Sequence, residues 1–333
     1  MHKIIFSCGD CNGIGIETFA KAVSTLDNTP ELASKCNLTL AVNVETLKNY
    51  LKHFSMPVKF ESDGIFIANR LVYIINCRKE ADISFGKVAK DAGELAAESL
   101  EIATNDTSRG IFDALITLPI NKFSMNKAGW LFTGHTEFLG SINNVAKPLM
   151  LLTTGKLRVA IATIHIPIKD VAATITNELL TMRIIQLFNT LQNDFNIAKP
   201  KIALLGLNPH AGENGVIGNE EQNIINPLIN NFKEKGFMID GSFPADGFFA
   251  HKEYKNYDGV LAMYHDQGLI PLKMLADGGG VNFTASIPII RTSPDHGTAF
   301  NIAGKDLADG KSVFEAIELA IQIVENRKKQ NSH

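Results

Sequence analysis

Cysteine is scarce: Cys8, Cys11, Cys36 and Cys77 are the only four in 333 residues. So few cannot staple a chain of this size, and the expected setting is a reducing cytoplasm. An excess of one charge is missing too, because 32 Lys+Arg against 35 Asp+Glu leave a formal net charge of −3. That balance offers no footprint for a polyanion and argues against nucleic acid as a partner, while leaving room for a local basic pocket. No stretch approaches the roughly 18 to 20 apolar residues of a membrane-crossing helix, so no membrane partner is expected. The N-terminal Met-His-Lys passes through Ile4-Ile5-Phe6 and reaches Gly9-Asp10 too soon for a signal-peptide core; it reads as a first buried strand. Internal repeats, low-complexity tracts and a Pro/Gly/Ser-rich linker are also lacking. What remains is 45% hydrophobic and 20% charged, a globular composition with enough length for a large core and two domains.

Short runs rich in Ile, Val and Leu alternate with longer amphipathic stretches, the pattern of an α/β fold with a mostly parallel sheet. Strands are expected over 3–8, 38–43, 71–76, 112–118, 157–163, 201–206 and 258–263, and helices over 14–26, 86–105, 178–195, 220–235 and 312–328. The last is a docking helix with a frayed polar end. Without a linker, the chain is expected to cross between domains more than once. The expectation is a discontinuous first domain, 1–128 plus 260–333, and a second domain, 129–259.

Three histidines share a position. His165 follows LRVAIATI, His210 follows KIALLGLNP and His265 follows DGVLAMY, each at or just past the end of a predicted strand. Carboxyl ends of strands open into the ligand crevice of α/β sheets, so the three are expected to converge on a divalent metal with positions open for substrate. Zn²⁺ suits imidazole best, and spacing does not separate it from Mg²⁺, Mn²⁺, Co²⁺ or Ni²⁺. Asp246 and Asp266 are candidates for an oxygen ligand or for orienting a ring, and equally for turn or cap residues.

A second group suits an anion: Gly134-His135-Thr136-Glu137 opening a helix, then Lys273, Asn282 and Arg291. Each alone has a plainer reading, Lys273 as a snorkelling surface residue and Arg291 as a strand-end ion pair. The Gly-rich stretch from Gly9 to Gly15 has the spacing G-x-x-x-G-x-G and fails the dinucleotide pattern G-x-G-x-x-G; no Walker A sequence occurs. A nucleotide therefore needs another element, and SPDHGTAFNIAGK at 293–305 is the candidate, with Gly297 and Gly304 permitting close approach.

Taken together, GDCNGIGIE, LPINK, GHTEFL, ATIHIPI, LGLNPHAGE, FPADGFF, DGVLAMYHDQGLIPLK and VNFTASIPIIRTSPDHGTAFNIAGK resemble, in order and over nearly the whole chain, the 4-hydroxythreonine-4-phosphate dehydrogenase family. The resemblance puts His165, His210 and His265 on the family's metal ligands, and His135, Thr136, Lys273, Asn282 and Arg291 on its substrate contacts. HGTAFNIAGK is similar to the segment that isocitrate and isopropylmalate dehydrogenases use for the adenine side of NAD. It implies their two-domain α/β/α architecture with a cleft between domains, not a Rossmann fold, and makes Asp295, His296, Gly297, Thr298, Ala299 and Asn301 the cofactor contacts. NADP is the alternative carrier. A homodimer with an active site shared across the interface is implied, with His265 drawn from the neighbouring subunit.

The family's first loop usually reads GDPAGIGPE, and here Cys11, Asn12 and Ile16 stand at Pro, Ala and Pro, a change expected to touch loop rigidity. Cys8 and Cys11 form a C-x-x-C before a helix. A redox pair is one reading, and a chance result of the substituted loop is the preferred one. The implied activity is NAD-dependent oxidation of the C3 hydroxyl of 4-phosphooxy-L-threonine and loss of CO₂ to give 3-amino-2-oxopropyl phosphate, in pyridoxal phosphate biosynthesis. His135, Lys273, Asp246 and a metal-bound water are the candidate bases. Dehydrogenases of phosphorylated threonate or erythronate, a three-histidine zinc hydrolase and a non-catalytic metal-binding dimer are the other readings.

Overall fold

A computed structural model describes residues 1–132 and 134–330; the tail expected to fray lies partly outside them, at 331–333. Two compact units emerge: Met1–Pro148 with Ile287–Glu325, and Leu149–Ser286 with the residues from Asn326 on. The chain leaves the first unit and returns to it, but the exchange points expected at 128/129 and 259/260 lie at 148/149 and 286/287.

The first segment runs β1 (His2–Ser7), α1 (Gly15–Asp27), α2 (Pro30–Ala33), β2 (Cys36–Val42), α3 (Val44–Leu51), β3 (Val58–Phe60), β4 (Gly64–Ile67), β5 (Arg70–Asn76), α4 (Lys90–Ser108), β6 (Ala114–Thr117), α5 (Lys122–Lys127) and α6 (His135–Ile142). β1 pairs in parallel with both β2 and β6, and β2 with β5; β4 and β3 continue antiparallel from there. Ile4, Ile5, Phe6, Leu38, Leu40, Leu115 and Ile116 have no exposure, as strands covered on both faces require.

The second unit follows as β7 (Leu149–Thr154), β8 (Leu157–Thr163), α7 (Ile168–Thr174), α8 (Asn177–Asn193), β9 (Lys201–Leu205), α9 (Asn226–Glu234), β10 (Met238–Phe243), α10 (Ala245–Ala250), β11 (Gly259–Tyr264), α11 (His265–Ala276) and β12 (Val281–Ala285). Its parallel strands run in the order β10-β9-β11-β8, and β7 and β12 add antiparallel. Val159, Ile161, Ala203, Leu205, Val260 and Ala262 form its core with Leu269 and Leu272 of α11. Because α11 packs on this sheet and β12 pairs with β7, residues 260–286 stay with the second unit, which moves the exchange point from 260 to 286. At the other crossing, Trp130, Phe132 and Phe138 of the first unit pack against one another at tilted and edge-on angles and hold α6 there.

The returning chain forms β13 (Arg291–Pro294), parallel to β6, and then α12 (Lys311–Gln330). Among the described residues no helix is long and apolar enough to cross a membrane.

Candidate functional site

In the first unit the register of β13 on β6 sets Arg291 beside Leu115, and Thr117 lies two residues further along the same side of β6. Arg291 is 2% exposed; its Nε donates to Thr117 Oγ1 at 3.1 Å and its terminal nitrogen reaches the same hydroxyl. Burial pushes the guanidinium pKa down. A buried cation is costly to desolvate, and a bound anion offsets that cost.

Asn121 caps α5 by accepting from the N–H groups of Phe123 and Ser124 at 2.9 and 3.0 Å, which fixes Lys122 as the first helical residue. The Lys122 side chain then passes beside Gly134, where a Cβ would stand 3.9 Å from its Cε. Gly134 precedes α6 without a side-chain cap, and His135 and Thr136 open that helix. His135 Nε2 is buried and has no hydrogen-bond partner. Burial first, then the positive charges of Arg291 and Lys122, hold its pKa well below the usual 6.5. A neutral imidazole, two cations and the N–H groups of a helix start make a receptor for a phosphate or carboxylate.

This has a pH signature. Below 6.5 the unfolded chain protonates His135 while the folded chain does not, so the unfolded state binds the extra proton and stability falls as pH drops through that window. Chemical denaturation above and below pH 6.5 should show a smaller loss for His135→Asn than for the parent protein; equal losses would remove the buried neutral ring from the account.

In the second unit His165, His265 and His210 follow β8, β11 and β9, three neighbouring parallel strands. His165 and His265 have ring centroids 6.3 Å apart and line a cavity of about 260 Å³ with Thr163, Ile166, Tyr264 and Asp266. Asp266 Oδ1 lies 2.6 Å from His265 Nδ1, which orients that ring and leaves Nε2 as the nitrogen available to a ligand. His165 has φ 53°, a left-handed backbone that histidine tolerates better than most residues.

His210 instead lines a separate cavity of about 520 Å³, with Asn226, Asn230, Lys233 and Ser242. Among the described residues no three His, Cys, Asp or Glu side chains stand close enough to hold a metal. Within this chain the fold brings His165 and His265 together and leaves His210 in the other cavity. Asp246 lies exposed in the first turn of α10 and lines neither cavity. Lys273 is on the exposed side of α11, while Asn282 in β12 carries a buried Oδ1 without a hydrogen-bond partner.

The 295–304 loop is braced from one side. Thr298 O accepts the Ile14 N–H at 3.0 Å, and a Cβ on Gly13 would come within 2.8 Å of the same oxygen, so only glycine lets the two loops touch. Ile14 packs with Ala303 and Ala308, and with Phe85, Ala299 and Ile302. Asp295 N donates to Ser312 Oγ at 3.0 Å, His296 Nδ1 lies 3.0 Å from Gly297 O, and Gly297 and Asn301 are exposed. Such a face is open to a ligand. The Asn12 substitution ties the first loop rather than loosening it: its Oδ1 accepts from Ser84 N at 2.6 Å and its Nδ2 donates to Lys87 O at 3.2 Å.

The redox reading of Cys8 and Cys11 fails on burial. Both are fully buried free thiols, and burial pushes Cys8 up to about 12 and Cys11 up as well, whereas a reactive pair needs a lowered thiolate pKa. An aromatic disulfide reagent should titrate no thiol rapidly in the native protein and all four after denaturation; fast native reaction of Cys8 or Cys11 would reverse this conclusion.

Thr117 and Lys122 were not singled out by sequence; Lys122 closes LPINK, and its place beside GHTEFL is visible only once α5 and α6 meet.

Comparison with known proteins gives the family. A family model for "Pyridoxal phosphate biosynthetic protein PdxA" matches residues 27–320. A 4-hydroxythreonine-4-phosphate dehydrogenase of Bacteroides thetaiotaomicron is 39% identical over 337 residues, covering 99% of this chain and 91% of that relative. The crystal structure of a 4-hydroxythreonine-4-phosphate dehydrogenase from Klebsiella pneumoniae superimposes with a TM-score of 0.81 at 33% identity, covering 97% of this chain and 98% of that one. An isocitrate dehydrogenase from Methylococcus capsulatus shares the fold, with a TM-score of 0.54 at 13% identity over 99% of this chain and 88% of that one. With nearly its whole length matched, this chain belongs to the PdxA family of pyridoxal phosphate biosynthetic proteins.

Proposed function

We propose that this chain oxidises the C3 hydroxyl of 4-phosphooxy-L-threonine with NAD⁺ and releases CO₂, giving 3-amino-2-oxopropyl phosphate for pyridoxal phosphate synthesis in the cytoplasm. The observation that carries the reading is the receptor of the first unit, a buried Arg291 beside a His135 whose Nε2 has no partner at the start of α6. In this reading Arg291, Lys122, Thr136, Lys273 and Asn282 hold the substrate's phosphate and carboxylate and fix the C3 hydrogen toward the cofactor. His135 donates or accepts one hydrogen bond. Two neighbouring cations oppose its protonation, which leaves Lys273, Asp246 and a bound water as the candidate acceptors of the hydroxyl proton.

Asp295, His296, Gly297, Thr298, Ala299 and Asn301 face NAD⁺, which when bound supplies the hydride acceptor; NADP⁺ is the alternative. His165, His210 and His265 would hold one divalent ion, Zn²⁺ ahead of Mg²⁺, Mn²⁺, Co²⁺ or Ni²⁺. Once bound, the ion supplies Lewis acidity to the hydroxyl and to the ketone it becomes. Two imidazoles 6.3 Å apart, one oriented by Asp266, fit that donor set. The resemblance implies that the set is shared across a homodimer, with His265 drawn from the neighbouring subunit. Ile166 and Ile168 beside the pair, and Ile270, Met274 and Leu275 on α11, are exposed apolar side chains suited to a homodimer face.

NADH formation on a substrate panel tests the reading. Turnover should be highest with 4-phosphooxy-L-threonine and lost with its unphosphorylated form. Faster turnover of phosphorylated threonate or erythronate would reassign the substrate, and phosphate release without NADH would make the protein a hydrolase.

A further inference from the structure

His210, Ala211, Gly212, Glu213 and Asn214 form a left-handed turn, with φ of 52°, 51°, 81°, 44° and 53°. Ala211 and Glu213 disfavour this backbone, which His210, Gly212 and Asn214 accept more readily, and a run of five such residues persists only where its surroundings over-determine it. The surroundings converge on Glu221, a carboxylate 2% exposed. Its Oε1 accepts the N–H groups of Leu207 and Asn208 at 2.7 and 2.8 Å, and its Oε2 accepts Asn208 Nδ2 at 2.9 Å. Asn208 in turn binds the start of the turn, its carbonyl accepting from Ala211 N at 3.1 Å. A Cβ on Gly212 would stand 2.6 Å from Glu221 Oε2, so the carboxylate also fills the inside of the turn. Glu221 itself opens a π-helical turn, Glu221–Ile225, a local irregularity that often marks functional sites.

We propose that Glu221 is the positioning residue of His210, its buried carboxylate latching the left-handed turn in the one arrangement that presents the imidazole to a divalent ion. The proposal rests on the metal reading above. The latch lies between the end of β9 and the start of α9, outside the unit's apolar core, so it governs the turn more than the sheet. Glu221→Gln isolates it. Glutamine keeps the shape and can keep both Oε1 bonds, but its amide then sets a donor against the Asn208 Nδ2 donor.

The test is titration of metal-free full-length protein with Co²⁺, read by the visible absorption of the bound ion, alongside thermal melts. Glu221→Gln should weaken Co²⁺ binding by about 10- to 100-fold, the range for groups that orient a ligand. His210→Ala should weaken it at least as much, and the double variant should bind no worse than His210→Ala alone, because the two residues act as one unit. Parent-like affinity in a folded Glu221→Gln protein, or fully additive losses, overturns the proposal. Unchanged affinity in His210→Ala overturns the metal reading and this proposal together. If Glu221→Gln does not fold, Gly212→Ala decides: it presses a methyl on the carboxylate without removing the charge, and should weaken Co²⁺ about 10-fold, with no change overturning the latch.

Discussion

Arg291→Met should lower kcat/KM for the phosphorylated substrate by about 1,000-fold, about 4 kcal/mol of transition-state binding, with little loss of folded stability. The two halves of that expectation have one cause. Arg291 is 2% exposed at the junction of β13 and β6, where its desolvation is already a cost to the folded state. An unbranched apolar side chain of similar length removes that cost and fills the space, which in buried sites is often neutral or stabilising. The substrate anion, however, loses a planar donor that can bind two oxygens at once. Arg291→Lys should recover little, since a point charge does not reproduce the fork. Measuring kcat/KM and the melting temperature together distinguishes this from a structural role: a large drop in melting temperature with a small drop in kcat/KM would assign Arg291 to the fold.

The second large effect is expected at His165. His165→Asn should lower kcat by about 1,000-fold and remove the rate response to added Zn²⁺, Mn²⁺ or Co²⁺. Asparagine is the right replacement because His165 sits at φ 53°, a conformation asparagine adopts readily; alanine there would mix strain with ligand loss. Asp266→Asn should be milder, about 10- to 100-fold in metal affinity, since that carboxylate orients His265 at 2.6 Å without being a ligand itself. Activity in His165→Asn that still responds to metal as the parent does would move the ion elsewhere.

Much of the scaffold is legible as apolar runs. The expected strands 3–8, 38–43, 71–76, 112–118, 157–163, 201–206 and 258–263 correspond to β1, β2, β5, β6, β8, β9 and β11, within about two residues at each end. Those that escape notice have physical reasons. β3 has only three residues, and β7 runs into β8 through a two-residue turn. β13, Arg-Thr-Ser-Pro, is buried without an apolar residue of its own except proline. α11 hides behind Gly268 and Pro271, which break the helical pattern although packing on the sheet sustains it.

The site divides the same way. Strand-end histidines are readable because parallel strands deliver their next residues to one edge. The separation of His210 from the other two is not readable, because the glycine and asparagine of HAGEN permit a left-handed turn without dictating one and the latch at Glu221 lies eleven residues beyond His210. Thr117 and Lys122 escape for a related reason, since their role depends on which elements meet.

The most direct test is to supply the metal-loaded protein with NAD⁺ and 4-phosphooxy-L-threonine and follow NADH and CO₂ together, with and without a chelator. The two products should form in equal amounts, and neither should form after complete metal removal. NADH without CO₂, or undiminished turnover in the chelated protein, would contradict that expectation.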